Sequence, residues 1–152
     1  MRNLLTLLLL PLASMTHGQC LDTLQFPNLQ PPCYPDFVPV CGCDGVTYRN
    51  ACHADFATVL QYGEGPCEQV VHDYYPNPVE NMIYMTIATK YESDVNLYIF
   101  DRNGHVYYYR YLPLVSSQYL TIPVNGFEKG LYIVMTESNG QASFSKMIRI
   151  QH

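Results

Sequence analysis

The chain has 152 residues, 48% of them apolar and only 14% charged, with a net charge of −5. That apolar content excludes an intrinsically disordered chain. An acidic balance with no cluster of Lys and Arg argues against nucleic acid and anionic membrane surfaces as partners.

The first 18 residues read as a secretion signal. Arg2 supplies the positive end, a Leu-rich stretch from Leu4 to Leu12 follows, and Thr16 and Gly18 suit cleavage before Gln19. The apolar stretch is too short for a permanent membrane span. Gln19 is not the small residue that lipid attachment at Cys20 would require. Export implies an oxidising compartment, so the six Cys, all between positions 20 and 67, are expected to form three disulfides rather than a metal site.

Residues 19–67 are expected to form one small stapled domain, because a segment this short rarely buries enough apolar surface to fold alone. Before Cys33 the chain is rich in Pro and Asn (Pro27, Asn28, Pro31, Pro32) and reads as an extended loop. Asp44-Gly45 is a hairpin-turn signal. Asn50 is a good helix N-cap. From Ala51 to about Gln61, Cys52, Phe56, Val59 and Leu60 share one helical face, and Gly63 and Gly65-Pro66 stop the helix. A metal site would need paired clusters, and His53 alone reads as an exposed helix residue.

Residues 68–74 show no pattern and read as a linker. Residues 75–151 then read as a β-domain. Tyr75-Pro76-Asn77-Pro78 sets an extended start. Ile83, Met85 and Ile87 alternate with Tyr84 and Thr86, and Val95, Leu97 and Ile99 with Asn96, Tyr98 and Phe100. Asn103-Gly104, Asn125-Gly126 and Asn139-Gly140 punctuate further strands over 106–112, 119–124, 131–136 and 144–150. Six or seven strands with no helix pattern predict an antiparallel β-sandwich. In Tyr107-Tyr108-Tyr109-Arg110-Tyr111 the rings alternate faces, so strand filling is favoured over a sugar-binding platform. Lys90, Arg102, Arg110, Lys129, Lys146 and Arg149 are scattered and read as solvated surface. No Gly-x-Ser-x-Gly, phosphate-cradling Gly loop or His-Glu-x-x-His is present. The chain is therefore not expected to be an enzyme or to need a cofactor, a metal or a small-molecule substrate.

Two resemblances sharpen this reading. Cys33-Tyr-Pro-Asp-Phe-Val-Pro-Val-Cys41 followed by Gly42-Cys43-Asp44-Gly45-Val46-Thr47-Tyr48-Arg49-Asn50-Ala51-Cys52 resembles a Kazal-type serine protease inhibitor domain, in an atypical Cys-Gly-Cys variant. The resemblance implies a short helix on a small three-stranded sheet, a disulfide-rich α+β fold. The family's usual helix Cys is Val59 here, and Cys43 is extra. Spacing alone allows fifteen connectivities. The family pairing implies Cys33–Cys52 and Cys41–Cys67, which leaves Cys20–Cys43. It also implies an inhibitory loop of Cys33, Tyr34, Pro35, Asp36 and Phe37, with Pro35 entering the protease's specificity pocket and Asp36 following the scissile bond. The implied partner is an extracellular serine protease. Pro35 suits that role poorly, because it has no N–H to donate to the enzyme. The alternative is a non-inhibitory cell-surface binding or adhesion module on the same scaffold.

The second resemblance joins Tyr75-Pro76-Asn77-Pro78, Asp101 to Val106, Gly130-Leu131-Tyr132-Ile133-Val134 and Lys146 to Ile150. These are similar to the type A C-terminal sorting domain of the type IX secretion system, an immunoglobulin-like sandwich. The sorting motif it implies is Tyr75, Pro76, Asn77, Pro78, Gly130, Tyr132 and Lys146. Its implied partners are the type IX secretion machinery and a sortase-like peptidase. The implied destination is secretion, or the outer cell surface of a Gram-negative bacterium.

Overall fold

The structure is a computed structural model that describes residues 19–22 and 33–149. The signal peptide reading of 1–18 and the Pro-rich loop over 23–32 lie outside the described residues.

The small domain is built on a three-stranded antiparallel sheet. Strand β1 (Val40–Gly42) lies in the middle, flanked by β2 (Thr47–Tyr48) and β3 (Tyr62–Glu64). Helix α1 (Ala51–Phe56) packs on it, and among the described residues the buried apolar core is Val40, Ala54 and Val59, with Tyr48, Ala51 and Ala57 packed against it. Disulfides join Cys20 to Cys43, Cys33 to Cys52 and Cys41 to Cys67. With so small a core, these staples dominate the domain's stability, at about 2–4 kcal/mol each.

The helix is shorter than its apolar spacing predicts. It ends at Phe56, because Thr58 adopts a left-handed backbone with φ of 62°. Thr58 N–H donates to Asp55 O and Val59 N–H to Ala54 O, at 2.9 and 3.1 Å. That pair of bonds is a Schellman cap, and it brings Val59 onto Ala54 in the core. Leu60, expected on the buried helical face, is exposed instead.

The second domain holds five strands among the described residues. They are β4 (Val70–Tyr75), β5 (Met82–Asp101), β6 (Val106–Pro123), β7 (Gly130–Ser138) and β8 (Gln141–Arg149). All neighbouring pairs are antiparallel. Strand count is lower than predicted because β5 and β6 each serve both layers. The first half of β5 pairs with β4 and with the end of β6, and its second half with β7 and the start of β6. Register breaks between Ala88 and Val95 bend the sheet there. The result is a β-sandwich, with the rows Ile83, Met85, Ile87 and Val95, Leu97, Ile99 fully buried in one shared core. Asn139 and Gly140 both have positive φ, 49° and 76°, as the two-residue β7–β8 hairpin requires.

Three further expectations are corrected. Residues 70–74 are not linker but strand, paired along the edge of the sheet with β5. Arg149 is not on the surface. Period-two alternation puts it beside Met147 on the core face, where it is 4% exposed and its Nε donates to Val124 O at 3.2 Å. The Tyr run divides less evenly than alternation predicts. Tyr107 and Tyr108 both pack on the core next to a register shift, and Tyr109 and Tyr111 face solvent.

Candidate functional site

The loop from Cys33 to Pro39 has no regular secondary structure, and the Cys33–Cys52 disulfide fixes its start to α1. Tyr34 is 81% exposed, and Pro35 and Asp36 also face solvent. The loop is held from below by one buried side chain. Asn50 Nδ2 donates to Tyr34 O at 3.1 Å and to Asp36 O at 3.0 Å, on either side of Pro35. The same amide's Oδ1 accepts from His53 N–H at 3.1 Å and caps α1. Its Oδ1 also lies 2.7 Å from His53 Nδ1, so His53 is half-buried against the cap rather than freely exposed. Beyond the loop, Val38 N–H donates to Arg49 O at 3.0 Å and continues the bracing.

Arg49 adds a second support. Its Nε donates to Pro35 O at 2.8 Å, and its guanidinium lies 5.7 Å from the centre of the Phe37 ring. A loop held by such bonds on each side of an exposed peptide is pre-ordered for docking, which lowers the entropy cost of association.

The rest of the small-domain motif holds the sheet that carries this loop. Asp44 Oδ1 accepts from Val46 N–H across the turn, and Asp44 Oδ2 accepts from Tyr48 Oη at 2.7 Å. The Tyr48 hydroxyl keeps the Asp44 carboxyl below the usual carboxylate range. Burial, then the bond to Asp44, pushes Tyr48 up to about 12. Gly42 is required for close approach, since a Cβ there would lie 2.3 Å from Asp44 Oδ1 and 2.9 Å from Tyr48 Cε2. Thr47 Oγ1 accepts from Cys67 N–H at 2.8 Å and donates to Glu68.

In the second domain, the structure brings Tyr75-Pro76-Asn77-Pro78 against the last strand. Asn77 Nδ2 donates to Lys146 O at 2.9 Å, and Asn77 Oδ1 accepts from Ile148 N–H at 3.0 Å. Tyr74 Oη also donates to Lys146 O. Gly130 pairs with Arg149 at the start of β7. Tyr132 is buried, with its hydroxyl donating to Glu128 O at 2.8 Å and its ring edge-on to Tyr107. The Lys146 side chain is exposed. These residues tie the two ends of the domain together, and they do not converge on one pocket.

Comparison with known families matches residues 73–151 to the secretion system C-terminal sorting domain, just over half of the chain. The chain belongs to that family. Residues 23–67 match the Kazal-type serine protease inhibitor domain. A search of curated proteins found no match. The pairing is thus a Kazal-type domain followed by a type IX sorting domain. Kazal-type domains are an inhibitor family and not catalytic, which fits a non-enzyme. The sorting domain indicates export to the secreted or cell-surface compartment of a bacterium.

Sequence reasoning missed two residues of the Kazal-type domain. Asn50 was legible as a helix cap, but its reach to the loop depends on contacts 14 and 16 residues away. Arg49 was legible only as a motif spacer. An Asn at the N-cap position, directly after a long cation, is the signal that could have pointed to both.

Proposed function

We propose that the chain is an exported inhibitor of a serine-type endopeptidase, in which the loop Cys33–Phe37 is the contact surface and the sorting domain carries the protein out through type IX secretion. The observation that carries this reading is the Asn50 bridge between the carbonyls of Tyr34 and Asp36, which flank the exposed Pro35. A loop made only to connect two elements has no need of a buried amide bonded to the carbonyls on both sides of one exposed residue. Pro35 would occupy the specificity pocket, Asp36 the position after the scissile bond, and Tyr34 the position before Pro35. The fitting partner is a protease that accepts proline. Secretion from a Gram-negative bacterium, removal of an N-terminal signal at Gln19 and recognition by a sortase-like peptidase complete the reading.

A second reading has its own support. Pro35 lacks a donor, and its carbonyl is already held by Arg49. Both favour a non-inhibitory surface module that binds another protein through the same scaffold.

The test is inhibition by the oxidised chain of a serine protease panel that includes proline-specific enzymes. The chain is assayed intact and with a flexible insertion between Glu68 and Gln69, and Pro35→Lys runs beside it against trypsin. Inhibition of a proline-accepting enzyme by the natural sequence supports the proposal. Inhibition by the Lys variant alone favours the binding module. Failure of both, with three disulfides intact, overturns the inhibitor reading.

A further inference from the structure

Tyr34, Pro35 and Asp36 remain solvent-exposed, yet with Phe37 they line a cleft whose other wall belongs to the sorting domain. Only Glu68 and Gln69 separate the disulfide-bonded Cys67 from Val70 at the start of β4. This junction is pinned on both sides. Cys67 N–H donates to Thr47, and Lys90 reaches back with its N–H to Gln69 O at 3.0 Å and its Nζ to Cys67 O at 3.4 Å. A third tie joins the domains, with Arg49 Nη2 2.6 Å from Asp73 Oδ2 on β4.

These contacts leave a cleft of about 890 Å³ between the domains. One wall is the loop from Tyr34 to Phe37, and the other is a row of rings from Tyr75, Tyr84 and Tyr119. Tyr75 and Tyr84 are 5.3 Å apart between ring centres, and Tyr84 and Tyr119 stack at 6.5 Å. The space is that of a small-molecule site. A protease must surround its inhibitor's loop on both flanks and cover about 800 Å² of it. An enzyme that encloses the loop on both flanks must displace the Tyr75, Tyr84 and Tyr119 wall of this cleft. Arg49 connects the two facts chemically, because one guanidinium holds Pro35 O with Nε and Asp73 with Nη2.

We propose that the sorting domain masks the inhibitory loop, with Arg49–Asp73 as the latch, so that the joined chain is a latent inhibitor and separating the domains exposes the loop. This rests on the inhibitor reading. Masked in this way, the loop cannot engage proteases while the two domains remain docked.

The experiment uses the full chain in a Pro35→Lys background, so that trypsin serves as the probe. It compares the chain as it is, an Asp73→Asn variant, and a form with about ten Gly/Ser residues inserted between Glu68 and Gln69. The insertion is expected to raise the association rate with trypsin about tenfold or more, and Asp73→Asn by a smaller factor. Small-angle scattering should show the insertion form more extended. Equal rates for all three forms would overturn the masking and leave the inhibitor reading standing. A gain with the insertion but none with Asp73→Asn supports masking and removes Arg49–Asp73 as the latch. No inhibition from any form would sink the inhibitor reading, and the masking with it.

Discussion

Asn50 and Asp36 are bonded twice, through Asn50 Nδ2 to the Asp36 carbonyl at 3.0 Å and to its carboxylate Oδ1 at 3.3 Å. The opposite end of the same amide caps α1. One side chain therefore couples the shape of the loop to the start of the helix. Asn50 is 7% exposed, so neither end has water as a ready substitute.

The two roles can be separated by substitution. Asn50→Asp keeps the acceptor for His53 N–H but loses the donor and sets a carboxylate against the loop carbonyls. The helix should persist while loop binding weakens at least about tenfold, one lost bond of about 1.4 kcal/mol being enough for that factor. Asn50→Ala loses cap and braces together and should destabilise the domain by about 2–3 kcal/mol. Circular dichroism and urea unfolding with the disulfides intact read the first property, and trypsin binding in a Pro35→Lys background the second. If Asn50→Asp binds as tightly as its parent, the brace contributes nothing.

Thr58 stores backbone strain. A β-branched residue with φ of 62° is a poor occupant of the left-handed region, where Asn or Gly fits better. Thr58→Asn should raise the stability of the small domain by about 1 kcal/mol without lengthening α1. A shift of the urea midpoint to higher concentration is the readout. An unchanged or lower midpoint would show that the Thr side chain contributes more than the strain costs.

Thr58 also shows where the sequence stops being readable. The apolar spacing through Leu60 was sound as a pattern, but the helix end lay at a residue that carries no stop signal, while Gly63 suggested a later one. Strand β4 was invisible for a related reason. Its core-facing positions after Val70 are His72 and Tyr74, whose polar groups bond to β7 and β8, so no apolar alternation marks it. The polar run Glu92-Ser93-Asp94 carries no strand pattern, yet it is a bulge inside one long strand. Local spacing made the buried rows of β5 and the hairpins at Asn103-Gly104 and Asn139-Gly140 legible, whereas the Cys pairing was legible only through the Kazal resemblance. The position of the loop against the sorting domain depends on a junction too short to act as a linker, and that became visible only with β4 in place.

Asn77 acts as a detached piece of strand for β8. With its two side-chain bonds to the backbone of Lys146 and Ile148, Asn77→Ala should cost about 1–2 kcal/mol and free the end of the domain. Hydrogen exchange at the Ile148 amide should accelerate, with the amides of the β5 centre unchanged. If the Ile148 amide exchanges no faster, the bond from Val79 N–H to Ile148 O is enough to hold the strand.

His72 makes the sandwich sensitive to acid. Its Nδ1 lies 2.8 Å from Thr136 Oγ1 and its Nε2 2.6 Å from Ser145 Oγ, tying β4 to β7 and β8. Burial lowers it from 6.5 to about 4, against the neighbouring Asp73, which pulls it upward. The folded state thus resists a proton that the unfolded chain accepts below about pH 6.5. Between the two values the unfolded state binds more protons, so stability falls as the pH is lowered through that window and is fully present above it. At pH 4.5 the loss relative to pH 7.5 should be about 2 kcal/mol. His72→Gln keeps a side chain able to bond both hydroxyls and does not titrate. Its unfolding midpoint, followed by Tyr fluorescence, should change less over the same range by about that amount. Identical pH dependence in the two chains would place the acid sensitivity elsewhere, in the carboxylates of Asp94, Asp101 and Glu137, whose hydrogen bonds hold them below their ordinary values.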